Sequence, residues 1–160
     1  MLAEWTIRRA TVDDLFEVLR LVRALARYEK LEDQFVATEA DFREALFGST
    51  PRAEIWLGFA DERAVGYVTF FHTFSTFLGK PGLYLEDLFV EEAERGRGYG
   101  SRLFRFVAEL ARERGCGRME WSALDWNEPA LTFYDAMGAK LLDDWRLLRL
   151  DAVGLEQLAT

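Results

Sequence analysis

The chain has 160 residues and a mass of 18.5 kDa, enough for one domain, 1–160, with a single sizeable core. Half of it is hydrophobic and 30% is charged, which is globular rather than disordered composition. Acidic residues outnumber basic ones by 28 to 20, giving a net charge of -8 and a pI near 4.8. That balance argues against a general nucleic-acid binder and suits a cationic partner. No apolar run approaches the roughly 20 residues of a membrane helix. The start, MLAEWTIRRA, does not read as a signal peptide. One cysteine, Cys116, and one histidine, His72, rule out a disulfide framework and the common zinc sites. The expectation is a soluble, cytoplasmic, metal-free protein.

In chain order, a short strand, Trp5 to Arg9, leads into a capping-box pattern in which Thr11 stands three residues before Asp14. Leu15, Val18, Leu19, Val22, Leu25 and Ala26 then share one face of a helix expected to run to about Tyr28. The same start signal, Thr38 to Asp41, opens a shorter helix ending near Gly48. From Glu54 the period changes. Glu54 to Ala60 and Ala64 to Phe77 are rich in aromatic and β-branched residues and predict a hairpin over the turn Asp61–Arg63, and Gly82 to Val90 predicts an interior strand. Glycines 96, 98 and 100 precede an amphipathic helix on Leu103, Phe104, Phe106, Val107, Leu110 and Ala111 that Gly115 stops. Met119 to Leu124 predicts a strand, Asn127 to Met137 a helix, and Lys140 to Leu150 one bent strand or two, ahead of a loosely apolar tail. The order predicts an α/β chain with a mixed sheet carrying helices, not a doubly wound parallel sheet.

The chemistry sits between the interior strand and the amphipathic helix, in Arg95-Gly96-Arg97-Gly98-Tyr99-Gly100. Glycines let backbone approach a ligand, and unpaired amides at a helix start favour an anion. A dinucleotide fingerprint would need glycine where Ser101 stands. A Walker loop fails too, because Gly79-Lys80 is followed by Pro81. Residues 95–105 hold four arginines, Arg95, Arg97, Arg102 and Arg105, and no acid. Residues 84–94 hold five acids and no base. Of these, Glu91, Glu92 and Glu94 read as a solvated turn, whereas Glu86 and Asp87 interrupt an apolar strand and need a cavity or a partner.

Arg-x-x-Gly-x-Gly after a strand resembles the acetyl-CoA pyrophosphate loop of the GNAT superfamily of N-acetyltransferases. Over nearly its whole length the chain resembles the diamine branch, the spermidine/spermine and thialysine N-acetyltransferases. Ala26 to Glu32, Gly79-Lys80, Leu83 to Val90, Leu124 to Ala130 and Phe133-Tyr134 carry the resemblance, with Tyr84 to Asp87 and Asp125 to Pro129 its most specific parts. The resemblance implies a mostly antiparallel mixed sheet whose strands splay, at Phe89 and Trp121, to admit acetyl-CoA. It implies direct attack of an amine on the thioester in a ternary complex. Tyr134 would then protonate the leaving thiolate and Glu86 would act as base through water. Removing the proton of an alkylammonium at neutral pH costs about 4 kcal/mol.

By the same resemblance, Leu88, Phe89 and Val90 would hold the pantetheine arm, and Arg95 to Ser101 (Gly96, Arg97, Gly98, Tyr99, Gly100) the pyrophosphate. The helix start Asn127, Glu128, Pro129 and Ala130 would lie beside the coenzyme, with Asn127 also an N-cap. Tyr28, Glu29, Glu86, Asp87, Glu120, Trp121 and Ser122 would line the amine. Glu120 stands where the polyamine enzymes carry histidine, so the acceptor stays open among diamines, polyamines and lysine analogues. Cys116 reads as packing and His72 as a packed or edge residue. The resemblance implies a homodimer paired through the C-terminal region; Asp144 to Leu150 fits such an interface and fits an internal strand equally. Two other readings remain open: an acetyl-CoA sensor or scaffold without turnover, and a protein N-acetyltransferase.

Overall fold

A computed structural model describes residues 4–160, in two compact units divided between Ser122 and Ala123. The first unit is a five-stranded sheet in the order β1(Trp5–Arg9), β2(Glu54–Ala60), β3(Arg63–Ser75), β4(Lys80–Val90), β5(Met119–Glu120). Neighbouring strands are antiparallel except for β4 and β5, which are parallel. Helices α1(Leu15–Tyr28), α2(Glu39–Phe47) and α3(Tyr99–Glu113) complete this unit.

The helix starts follow from local chemistry. The Thr11 amide donates to the Asp14 carboxylate at 2.7 Å, and the Thr38 amide donates to Asp41 at 2.7 Å, in the capping boxes that the sequence predicts. Alternation along the strands then sorts two faces. Leu57, Tyr67 and Phe89 join Val18 and Leu21 of α1 and Leu46 of α2 in one core. On the opposite face Trp56 meets Phe106 of α3 with ring centroids 4.8 Å apart, and a Cβ on Gly66 would strike the Phe89 carbonyl oxygen and crowd Leu103 and Val90.

The second unit contains α4(Glu128–Ala136) and α5(Ala152–Leu158). Asn127 caps α4, its Oδ1 accepting from the Ala130 amide at 3.4 Å. Here the structure corrects the sequence reading twice. The strand predicted over Met119–Leu124 keeps its ladder only at Met119 and Glu120. No strand forms across Lys140–Leu150; the segment makes a turn at residues 143–144 and the tail coils into α5. The alternating apolar pattern there needs a partner strand, and no strand pairs with it among the described residues. Among the described residues no helix is long and apolar enough to cross a membrane.

Candidate active site

The site in the first unit is built around one irregularity. Along β3 and β4 the register runs Tyr67↔Phe89, Val68↔Leu88, Thr69↔Asp87, then jumps to Phe70↔Leu85. Glu86 is therefore the extra residue of a β-bulge. In a regular strand Asp87 would share a face with Leu85, against α3. The bulge turns it to the other face, with Thr69, Tyr67 and Phe89, toward the end of α1.

That end of α1 carries Tyr28 and Glu29, and the chain turns sharply at Lys30, whose φ is 60°. Lys30 is not glycine, so this left-handed turn is a local cost that sharpens the exit of the helix. Glu29, half-buried, has its acidity weakened by burial. Asp87 is pushed up to about 7, by burial first and then by the neighbouring charge of Glu86, with Glu29 adding to it and the Tyr67 hydroxyl opposing it. Glu86 itself is exposed. Tyr67 is fully buried, its hydroxyl within reach of Asp87 but making no well-aligned hydrogen bond. Burial, reinforced by Asp87, pushes its phenol far up. The charges of Asp87, Glu29 and Glu86 thus all act on one buried phenol.

The glycine loop lies past the end of β4. Gly96 and Gly98 have φ of 79° and 82°, which only glycine adopts freely, and Gly98 caps α3 without a side chain. Gly100 differs: it sits in the first turn of α3 without a positive φ, and a Cβ there would meet nothing within 4 Å. Neither backbone nor packing requires glycine at 100, although glycine weakens a helix. Space left open above unpaired helix amides fits an anionic ligand.

Other expected site residues are engaged within the protein. The Tyr99 ring stacks on Trp5 at 4.2 Å and is buried, so this residue offers the loop only its backbone. The Arg95 guanidinium lies 4.3 Å over the Tyr28 ring, and its Nε donates to the Val90 carbonyl at 3.1 Å. Arg97 pairs with Glu94 at 3.4 Å. Glu91 and Glu94 correct the reading of a solvated turn. Glu91 is clasped by Arg20 and Arg63, and Glu94 reaches Arg63 at 3.6 Å. Both carboxylates are largely covered because those arginines converge from α1 and β3; Glu92 alone is exposed as expected.

Leu88, Phe89 and Val90 pair with β3 on one edge, while on the other edge β5 pairs only with Leu83 and Tyr84. The sheet therefore opens beyond Tyr84, where backbone groups of β4 have no strand beside them. Trp121 stands edge-on to Phe104 at 5.1 Å, Ser122 Oγ lies 3.1 Å from the Tyr84 hydroxyl, and Glu120 pairs with Arg118 at 2.7 Å. Glu120 is thus engaged with a cation of its own strand region. In the second unit Asn127 is buried, Pro129 sits in the first turn of α4, and Tyr134 lies half-buried on that helix beside Phe133. Cys116 donates its amide to Ala111 as part of the end of α3, and exposed His72 stands edge-on to Phe70. Tyr67 was not singled out by the sequence reading. The signal available was a tyrosine at an inward position of an otherwise apolar strand.

A mostly antiparallel sheet opens beside a glycine-capped helix, and comparison with known proteins identifies the family that this arrangement belongs to. Residues 18–139 match the Acetyltransferase (GNAT) family, and the chain belongs to that family. It is 37% identical over 164 residues to the thialysine N-epsilon-acetyltransferase of Bos taurus, with 96% of each chain covered. It is 30% identical to the L-ornithine N5-acetyltransferase NATA1 of Arabidopsis thaliana, covering 95% of this chain and 86% of that one. Among solved structures, the integron cassette protein VCH_CASS6 from the mobile metagenome of V. cholerae superposes with a TM-score of 0.82 at 25% identity, over 97% of both chains. The protein is an N-acetyltransferase.

Proposed function

We propose that the protein transfers an acetyl group from acetyl-CoA to a primary amine of a small dicationic acceptor, a diamine, polyamine or lysine analogue, by direct attack in a ternary complex. The observation that carries the acceptor class is the convergence of Glu29, Glu86 and Asp87 at one end of α1. A single ammonium needs one carboxylate; three gathered in a partly desolvated place suit a second cation as well. The names of the thialysine and ornithine enzymes to which the chain is similar support the same class.

Bound acetyl-CoA would supply the thioester. The open space over Gly100 and the amides of the first turn of α3 fit its pyrophosphate, and the unpaired edge of β4 from Leu88 to Val90 fits an amide-bearing arm. With their own side chains engaged, Arg95 and Arg97 would position the loop, and exposed Arg102 and Arg105 would add a positive field. The Glu86–Asp87 pair takes the proton of the ammonium: Glu86 from the exposed side, through water, and Asp87 with an acidity matched to neutral pH. Tyr134 returns a proton to the departing thiolate. Asn127 to Ala130 fix the start of the helix that carries it.

Thiol release from acetyl-CoA, measured over spermidine, putrescine, thialysine, lysine, monoamines and a lysine-bearing peptide, tests this reading. The expected result is preference for the small dications. Equal rates with monoamines would overturn the acceptor class, and tight acetyl-CoA binding without turnover on any amine would overturn the reaction.

The reading includes a homodimer. The segment after α4 carries Trp145 and Leu148 at 74% and 89% exposure with other leucines beside them. Such a run of uncovered apolar side chains supports burial against a second copy. Leu148→Glu is then expected to shift the species seen by sedimentation velocity from dimer to monomer; a wild-type monomer at all concentrations would remove the proposal.

A further inference from the structure

Tyr67 carries a hydroxyl that the core does not need. The residue is completely buried in the sheet face under α1, its ring 6.3 Å from Phe89, and phenylalanine would fill the same space. A buried hydroxyl without a well-made hydrogen bond weakens a fold, so its place in the core calls for another reason. The register supplies one. Tyr67 pairs with Phe89, and Asp87 lies two residues before Phe89 on the same strand. Tyr67 and Asp87 are therefore diagonal neighbours on one face, within reach of a long side chain. Strand alternation from Phe89 puts Asp87 on that face, and the bulge at Glu86 separates it from Leu85. We propose that Tyr67 is a positioning residue, whose buried hydroxyl donates to the Asp87 carboxylate and holds it in its proton-accepting form toward the amine.

The groups facing Asp87 come from three elements. Glu86, next to it on β4, and Glu29, at the end of α1, both favour its protonated form, as does burial. The Tyr67 hydroxyl on β3 opposes them. The guanidinium of Arg95 is laid over the Tyr28 and Phe89 rings and bonded to the Val90 carbonyl. Without the phenol, two negative neighbours and desolvation act on Asp87 unopposed from β3. With it, the carboxylate is about 7 in acidity and can accept a proton at neutral pH. The step is a simple transfer: an N–H bond of the ammonium breaks, an O–H bond forms on Asp87, and the nitrogen keeps the electron pair with which it attacks. The phenol keeps its own proton throughout, since burial and Asp87 push its acidity far above neutral.

This inference rests on the proposed amine acetylation, but its first test does not. In the free protein, the side-chain carboxyl carbon of Asp87 is followed by NMR through a pH titration in wild type and in Tyr67→Phe. The expected result is an Asp87 midpoint near neutrality that rises by about one pH unit when the hydroxyl is removed. The second test is the pH profile of kcat/KM with a dicationic acceptor. The limb near neutrality is expected to move upward by the same amount in Tyr67→Phe, while the limb set by the acceptor's own ammonium stays in place. Asp87→Asn is expected to erase the neutral limb, and the double variant to behave as Asp87→Asn alone. An unchanged Asp87 midpoint in Tyr67→Phe overturns the role of Tyr67, whether or not the protein turns over. An altered midpoint with no turnover of wild type on any amine leaves Tyr67 acting on Asp87 and overturns the acetylation reading instead. Lower thermal stability in Tyr67→Phe with no change in either titration assigns the hydroxyl to structure alone and overturns the proposal.

Discussion

Gly100→Ala separates what the protein needs for itself from what it needs for a ligand. The residue lies in the first turn of a 15-residue helix, in ordinary helical backbone, and an added methyl group would meet no atom within 4 Å. Alanine is preferred over glycine by up to about 1 kcal/mol within a helix, and by less at its first turn. The free variant should therefore gain about 0.5–1 kcal/mol, which in a chain of this size raises Tm by roughly 1–4 °C. The same methyl group would occupy the space proposed for a phosphate, so acetyl-CoA affinity should fall at least tenfold, or about 1.4 kcal/mol.

The two effects have opposite signs, and one experiment reads both. At a coenzyme concentration 100 times the wild-type Kd, binding stabilises wild type by about 2.7 kcal/mol. A tenfold weaker variant gains only about 1.4 kcal/mol, and its helix advantage brings the total to about 2–2.4 kcal/mol. The order of melting temperatures should thus reverse: the variant melts higher alone and lower with coenzyme, while calorimetric titration gives the affinities directly. Unchanged affinity would remove the phosphate from this loop. A variant that melts lower without coenzyme would show that the space above Gly100 is not free, and the reasoning would fail at its first step.

Two further outcomes follow from the two halves of the chemistry. Tyr134→Phe should lower kcat by about a hundredfold or more while acetyl-CoA affinity stays within a few-fold, as single-turnover and equilibrium measurements would show; unchanged kcat would remove Tyr134 as the acid. For Asp87 the sign of the pH dependence is set by its raised acidity constant. Its native value of about 7 exceeds the ordinary 3.8, so the native state binds the proton more tightly, and this contribution is full below about 3.8 and declines until pH 7. Discounted for the solvent that reaches this partly open place, the loss is about 1–3 kcal/mol. Asp87→Asn should remove it, making the variant more stable than wild type at pH 8 by about that amount and by less at pH 5, as read by urea unfolding. A stability difference equal at the two pH values would show that Asp87 titrates normally.

What could be read from the sequence divides by how far its physical cause reaches. The capping boxes at Thr11 and Thr38 span four residues each, and both helices start where those residues put them. The loop from Arg95 to Gly100 is as local: strand, two left-handed glycines, helix. The acid pair Glu86-Asp87 was legible as an anomaly, because two adjacent polar residues break the alternation of Leu83 to Val90. Which of them turns inward was not, since that depends on the Phe70↔Leu85 and Thr69↔Asp87 register with a strand 15–18 positions earlier. The ion-paired Glu91 and Glu94 were misread for the same reason: their partners Arg20 and Arg63 come from elements remote in sequence.

The end of the chain carries this reasoning one step further. Trp145, Leu147 and Leu148 have the pattern of a strand, yet no strand pairs with them among the described residues, and their side chains are exposed. A strand's backbone hydrogen bonds need another strand, and its apolar face needs a surface to cover. On the dimer reading proposed above, the surface that covers Lys140–Leu150 would belong to a second copy. A helix start is specified by its own residues, a bulge by a neighbouring strand, and this segment, on the dimer reading, by a second copy. In that order the sequence becomes harder to read, because each step moves the determining contact farther from the residue it determines.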